Sequence, residues 1–512
     1  MTISPFRRFL PLLGVLAIHA AAAEGTKDAC KYVELAKLPL HYTGPGLQVT
    51  MEGVIDGTPA TMLVDTGAFQ TALTRTGTEK RGLPLRMTGE SSKGIGGYSR
   101  TYQTRLKEFS AGPAKSSKGW VPVIGDMGTA PAYDAIIGAP FLLQRDLEIA
   151  LGAKEARFFQ PVGCGDAHLA YWDRDAVVIP FEFHRGSSPN PHFTVEINGE
   201  KLEAIIDSGA STTVIDSRAA KRAGLKLDSP EVVRTGTSSG VGEEIVAHWS
   251  TVVDTLKIGN ETIKNAQVGI IDTKGDLDID VLLGDDFLRA HRVLFAMSQK
   301  KIYISYTGGE PLGQRRTLEP WIQNEADAGN PDAQMTLAAL YGNGHLVPKD
   351  PAKATAWLEK AAEHGNPRAN LLVGRKLMDS GRWAEAAQRI AGALEKLPAE
   401  RYYALWLYIA RMRTGDPATA KRELEATFAR SEDHEWPAPI ADFYLGRLDA
   451  AALLEQAGKD AKLAKTRTCQ SNSFMAEWHA AQGDEARAKS LRATVQAYCS
   501  APAPAAKTAA NP

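Results

Sequence analysis

The chain has 512 residues, too many for one ordinary hydrophobic core and enough for about three domains. Its composition, 44% hydrophobic, 23% charged and 7% aromatic, is that of a globular protein. With 59 Lys and Arg against 60 Asp and Glu it carries no long-range field to gather nucleic acid or acidic lipid, which excludes nucleic acid as an expected partner.

At the N-terminus, Arg7-Arg8 precedes the apolar run Phe9 to Ile18 and the small residues Ala21-Ala22-Ala23. This pattern predicts an export signal over residues 1–23, leaving a periplasmic or secreted protein that is soluble once the signal is cut. The apolar run is too short to span a bilayer and nothing later resembles a membrane helix, so no membrane span is expected. Cys30, Cys164, Cys469 and Cys499 all follow the cleavage point, an even number suited to an oxidising compartment. Two disulfides are expected; positions along the chain favour Cys30–Cys164 and Cys469–Cys499 over the two other pairings. No Cys-x-x-Cys or His-x-x-x-His pair is present, and the histidines are scattered, so neither metal nor cofactor is expected.

Two segments of the first three hundred residues repeat each other. Val54-Ile55-Asp56-Gly57 leads into Met62-Leu63-Val64-Asp65-Thr66-Gly67-Ala68, and Glu196-Ile197-Asn198-Gly199 leads into Ala204-Ile205-Ile206-Asp207-Ser208-Gly209-Ala210. The copies lie 142 residues apart at the turn glycines and at the aspartates alike. Asp-Gly or Asn-Gly between apolar runs is a hairpin signal. Each copy closes on a second block, Asp134-Ala135-Ile136-Ile137-Gly138 and Asp280-Val281-Leu282-Leu283-Gly284, where the offset has grown to 146 residues. Strand-like runs such as Trp120 to Ile124 and Val246 to Val253 alternate with Gly- and Ser-rich turns between the blocks. Two mainly-β lobes are predicted, over residues 45–160 and 175–306.

An aspartate following three aliphatic residues is costly to bury unless its charge is shared or hydrogen-bonded. Gly67 and Gly209 permit a tight turn whose N–H groups face the carboxylate, while Thr66 and Ser208 each add a hydroxyl. Two such turns face to face cannot both ionise, so the pair would share one proton and supply one acid and one base.

The motif Asp-Thr/Ser-Gly-Ala, followed further on by two aliphatics and Gly, resembles the retropepsin-like aspartic peptidases over roughly residues 45–306. The resemblance implies catalytic Asp65 and Asp207, with Thr66, Gly67, Ser208 and Gly209 supporting the active-site loops and Gly138 and Gly284 packing behind them. It implies a peptide or protein substrate, no cofactor, and an intramolecular pseudo-dimer of the two lobes. It also implies a Gly-rich flap over the substrate in each lobe, for which Gly96 and Gly97, and Gly240 and Gly242, are the candidates. The position after each glycine, often a hydroxyl residue in pepsin-like enzymes, is here Ala68 and Ala210. A lost hydrogen bond to the carboxylate should raise its pKa and move activity toward weakly acidic to neutral pH. Two alternatives stand beside the aspartic endopeptidase: a catalytically inactive peptide-binding scaffold of the same fold, and a serine hydrolase using Gly236-Thr237-Ser238-Ser239-Gly240 as a nucleophile elbow. The strand-like residues after that motif argue against the second.

After Tyr306 the sequence becomes Ala-, Leu- and Lys-rich and helical. Gly329-Asn330-Pro331-Asp332-Ala333 recurs 36 residues later as Gly365-Asn366-Pro367-Arg368-Ala369. This resembles a Sel1-type repeat, a relative of the tetratricopeptide helix pair. Further helices are expected over Trp383 to Leu397, Tyr402 to Thr414, Pro417 to Ala429, Ala441 to Gln456 and Ser473 to Lys489. An all-α solenoid over 320–500, offering a surface to a protein partner, and a disordered tail over 501–512 complete the expectation.

Overall fold

The computed structural model describes residues 30–499 apart from 96, 126–130, 184–188, 239, 241–245, 274–278, 314–316, 399, 430–435 and 462. The segments read as export signal and C-terminal tail, and the flap candidates Gly96 and Gly242, lie outside the described residues.

Each Asp-Gly or Asn-Gly pair makes the tight hairpin its chemistry demands, with both central residues at positive φ: Asp56 at 48° and Gly57 at 78°, Asn198 at 50° and Gly199 at 87°. In lobe 1 the turn joins the strands Gln48–Ile55 and Thr58–Val64, and in lobe 2 it joins Phe193–Ile197 and Glu200–Ile206. The second strand of each hairpin runs parallel to the aliphatic strand of the closing block, Val64 opposite Ile137 and Ile206 opposite Leu283. A third short strand, Ala72–Thr74 or Val214–Asp216, flanks that block on its other side. Among the described residues, lobe 1 is an eight-stranded sheet and lobe 2 a seven-stranded sheet with the same strand order, lobe 1 adding the edge strand His41–Thr43.

A third sheet joins the lobes. Its six strands run Lys31–Pro39, Glu155–Val162, Asp146–Ala150, His291–Ala296, Lys301–Tyr306 and Val177–Pro180, so three strands before and three after the lobe junction meet at an antiparallel seam. Leu147 faces Phe295 and Ile149 faces Val293 across the seam, all four fully buried. Glu148 is fully buried too, and Arg292 from the other side of the seam meets its Oε1 at 2.6 Å (Nη2) and 2.9 Å (Nε). The two lobes therefore pair within one chain. The connection between them is packed down: the Arg292 guanidinium lies 4.4 Å from the Trp172 ring and 5.4 Å from that of Tyr171. The sheet draws in Lys31–Pro39, upstream of the segment read as the first lobe. That strand has few buried side chains, so its sequence carries no apolar alternation to announce it. Both disulfides form as Cys30–Cys164 and Cys469–Cys499.

The Gly-Asn-Pro motif of the helical region is a stop, a cap and a start. Gly329 and Gly365 close the preceding helices at φ of 92° and 86°. Asn330 then accepts from the N–H groups of Asp332 and Ala333, Asn366 accepts from that of Ala369, and Pro331 and Pro367 occupy the first helical turn. Pro320–Asp327, Pro331–Asn343, Pro351–Glu363, Pro367–Asp379, Trp383–Lys396, Arg401–Arg413 and Pro417–Ala429 follow one another as helices. Two expected helices are each split or displaced. Ala441 to Gln456 is in fact Ala438–Tyr444 and Ala450–Gly458, and Ser473 to Lys489 spans the boundary between Ala464–Ala481 and Glu485–Cys499. Gly446 at φ 73° and Gly483 at φ 84° make those breaks. Ile322, Ala326, Ala333 and Leu337 share the hydrophobic core of the β lobes, whereas later helices form a core of their own.

Candidate active site

Asp65 and Asp207 each sit at the end of a buried aliphatic strand, with the backbone still bonded to the closing block: Asp65 N–H to Ile137 O at 3.0 Å, Asp207 N–H to Leu283 O at 2.8 Å. Beyond each aspartate the chain turns so that its own N–H groups face the carboxylate. Gly67 and Ala68 donate to Asp65 Oδ1 at 3.0 and 2.7 Å, and Gly209 donates to Asp207 Oδ1 at 2.9 Å.

The two loops lock together through their hydroxyl residues. Thr66 Oγ1 donates to Ile206 O at 2.7 Å and accepts from Ser208 N–H at 3.1 Å. Ser208 Oγ donates to Val64 O at 2.7 Å and accepts from Thr66 N–H at 3.1 Å. Both residues are fully buried, so this four-bond lattice is undiluted by solvent. The glycines set how near the carboxyls come. A Cβ on Gly67 would stand 2.2 Å from Asp207 Cγ, and one on Gly209 would stand 2.4 Å from Asp65 Cγ. Behind the loops, a Cβ on Gly138 would meet Gln70 O at 2.4 Å and one on Gly284 would meet Thr212 C at 2.5 Å.

Burial, and next the negative charge of Asp207, push Asp65 well above the usual carboxylate range. Burial raises Asp207 as well, opposed by the N–H of Gly209 and by a hydrogen bond with Asp65. The upward direction is the one expected from Ala68 and Ala210, but its main cause is burial; the Ala68 N–H itself bonds Asp65.

Residues not singled out from sequence complete the site. Thr71 and Thr213 hydroxyls accept from the Gly138 and Gly284 N–H groups, each at 3.1 Å. Asn190 Nδ2 donates to Thr66 O. Tyr133 is buried close to Asp65, where burial and the Asp65 charge raise its pKa and Gln48 opposes them. Asp285 is 2% exposed where lobe 1 has Ala139; burial pushes it well above the usual range, and its Oδ1 has no hydrogen-bond partner among the described residues. Only the Thr71 and Thr213 pair carried a signal, as hydroxyl residues recurring at the same place, six residues after each aspartate.

Gly97 closes a hairpin between Arg86–Gly94 and Gly97–Ala111. Ile95 at its tip packs against Ile205, Val214, Ile271 and Leu282 of lobe 2. Gly240 lies just beyond the strand Val233–Ser238, which is antiparallel to Val246–Ile258. A nucleophile elbow needs a strand leading into a helix, whereas Gly236, Thr237 and Ser238 pair antiparallel with His248, Ala247 and Val246. No group of three or more His, Cys, Asp or Glu placed to hold a metal occurs among the described residues.

Residues 51–141 and 193–287 match the family model described as aspartyl protease, one match per lobe. The two lobes are retropepsin-like. Residues 331–366 match the Sel1 repeat, covering the helices Pro331–Asn343 and Pro351–Glu363. The chain is also similar to DNA damage-inducible protein 1 of Saccharomyces cerevisiae, 28% identical over 119 residues. That match covers 23% of this chain and 26% of the yeast protein, so the chain spans about a quarter of its relative's length.

Proposed function

We propose that the chain is an aspartic endopeptidase, with Asp65 and Asp207 as its catalytic pair. The observation that carries this reading is the close approach of two carboxyls across interlocked loops, each glycine leaving room for the opposite aspartate and nothing more. Burial raises both carboxyls and their charges repel, so the pair holds one shared proton; with that proton on Asp65, Asp207 is the base. Asp207 takes a proton from a water whose oxygen attacks the scissile carbonyl carbon, while the Asp65 proton passes to the carbonyl oxygen. The resulting diol collapses as Asp207 returns its proton to the amide nitrogen and Asp65 recovers one from a diol hydroxyl. The C–N bond breaks and the pair regains its single proton. Thr66, Ser208, Gly67 and Gly209 fix the carboxyls, and Gly138 and Gly284 let the loops pack down. The hairpins carrying Gly97 and Gly240 act as flaps.

Export is part of the proposal. It is supported by the signal-like residues 1–23 and by two disulfides, which persist in oxidising compartments. No helix among the described residues is long and apolar enough to cross a membrane. The later helices offer a surface for a protein partner or substrate. The test is a peptide library digested by the parent, Asp65→Asn and Asp207→Asn. Cleavage by the parent and its loss in both variants is expected; a parent that binds peptides without cutting them would make the lobes an inactive scaffold.

A further inference from the structure

The loop Thr43 to Gln48 is held between both lobes and the first two helices of the repeat region. On the lobe side, a Cβ on Gly46 would lie 3.8 Å from Ser211 Oγ, four residues past Asp207, and one on Gly44 would lie 3.1 Å from Ala132 Cβ. Gln48 lies near Tyr133, the tyrosine beside Asp65. The loop thus lies against residues that neighbour both aspartates.

On its other side the loop is gripped by helical residues. Asn330 Nδ2 donates to Tyr42 O at 3.0 Å, and Thr336 Oγ1 reaches Pro45 O at 3.4 Å. The Gly44 backbone N–H faces the Asp332 carboxylate and favours its charge against the burial that raises it, and that carboxylate accepts from Asn366 Nδ2 at 2.7 Å. Trp321 is sandwiched beneath, its ring 4.9 Å from Tyr42 and 4.5 Å from the Arg289 guanidinium, while Lys154 pairs with Glu325. The same helices contribute Ile322, Ala326, Ala333 and Leu337 to the core of the lobes.

We infer that the helix pair Pro320–Asp327 and Pro331–Asn343 is a wall of the substrate cleft, and that Asp332 and Asn330 are positioning residues for the loop that meets one end of a bound peptide. A peptide lying in the cleft in extended form advances about 3.3 Å per residue, so a long substrate runs from the aspartates onto this loop and a short one stops before it. The asymmetry is built in: the sheet of lobe 1 adds the edge strand leading into the loop, and that of lobe 2 has no counterpart among the described residues. Asn366, the cap of the helix Pro367–Asp379, binds Asp332, so the next repeat unit is tied to the same clamp.

This inference rests on the peptidase reading for its kinetic arm only. Peptides of about eight and about four residues that the parent cuts are compared with Asp332→Ala, Asp332→Asn and Asn330→Ser. The serine keeps a capping oxygen and loses the amide donor to Tyr42. For the long peptide, Asp332→Ala is expected to raise KM about ten-fold, the effect of losing one hydrogen bond to a charged group, with kcat within about two-fold. Asp332→Asn should largely restore KM, Asn330→Ser should resemble Asp332→Ala, and the short peptide should not distinguish the variants. Equal KM values in parent and Asp332→Ala, or equal effects on long and short peptides, would overturn the inference. Hydrogen exchange at the Gly44 and Leu47 amides reads the clamp without catalysis: exchange about ten-fold faster in Asp332→Ala and recovered in Asp332→Asn is expected. Unchanged exchange would sink the clamp even in an active enzyme, whereas a parent that cuts nothing would sink the peptidase reading and leave this measurement to decide.

Discussion

Gly67 and Gly209 are held by the carboxyl of the opposite lobe. Their need for glycine is one of space, since the atoms a methyl would meet are the carboxyl atoms of Asp207 and Asp65. Either Gly→Ala change is expected to abolish peptidase activity and to lower stability by about 1–3 kcal/mol through overpacking, read by peptide cleavage and thermal unfolding. Asp65 gives a second prediction. The folded protein keeps it protonated to higher pH than the unfolded chain does, so it costs stability as pH rises above the unfolded carboxylate value of about 4. Asp65→Asn should therefore raise Tm at pH 7, and the gain should vanish at about pH 3, where both states are protonated. A gain of equal size at both pH values would show that the aspartate is not held protonated by the fold. Both aspartates and both glycines were legible in the sequence because the motif occurs twice. Asn190, Tyr133 and Asp285 were not, because each acts through a contact that only folding creates.

Pairs of elements carry the next predictions. The lattice between the active-site loops joins Thr66 and Ser208 to the ends of two strands in different lobes, and each hydroxyl both donates and accepts. Thr66→Val would leave Ile206 O and Ser208 N–H buried without partners, at a cost of roughly 1–3 kcal/mol. The double change with Ser208→Ala should cost less than the two singles together, because both remove one lattice. Urea unfolding of the four proteins measures this. At the seam of the central sheet, Arg292→Met should cost about 3 kcal/mol by leaving Glu148 buried without its main counter-charge. Burial already raises the Glu148 pKa against the pull of Arg292, so the pair has little reserve. The hairpin turns, the short aliphatic strands and the helix caps could be read from sequence since Asn-Gly, Asp-Gly and Asn-Pro act locally. Helices around Gly446 and Gly483 were misplaced because an apolar period continues across a break that one residue at positive φ decides.

At the scale of the molecule, two hydrophobic cores divide the chain at a place the repeats do not. The first helices of the Sel1 region belong to the core of the lobes, and Ala361 begins the other core. Truncation after Tyr306 should therefore destabilise the lobes, whereas opening the disulfide of the last helix pair should not. Replacing Cys469 and Cys499 by serine is expected to cost that helix pair about 3 kcal/mol and to leave peptide cleavage unchanged, since the bridge closes a loop of 30 residues far along the chain from the aspartates. Limited proteolysis should cut the C-terminal helices first.

The sequence by itself determined the two retropepsin-like lobes, the aspartates with their hydroxyl and glycine partners, and the helical repeat, all features whose chemistry lies within a few residues and is written twice. Tertiary structure decided the rest: which strands cross between lobes, how near the carboxyls approach, and that the first two helices pack into the core of the lobes. Those are contacts between residues a hundred or more positions apart, made by hydrogen bonds and packing that no local pattern encodes, and they bring the two copies of a motif repeated in one chain face to face.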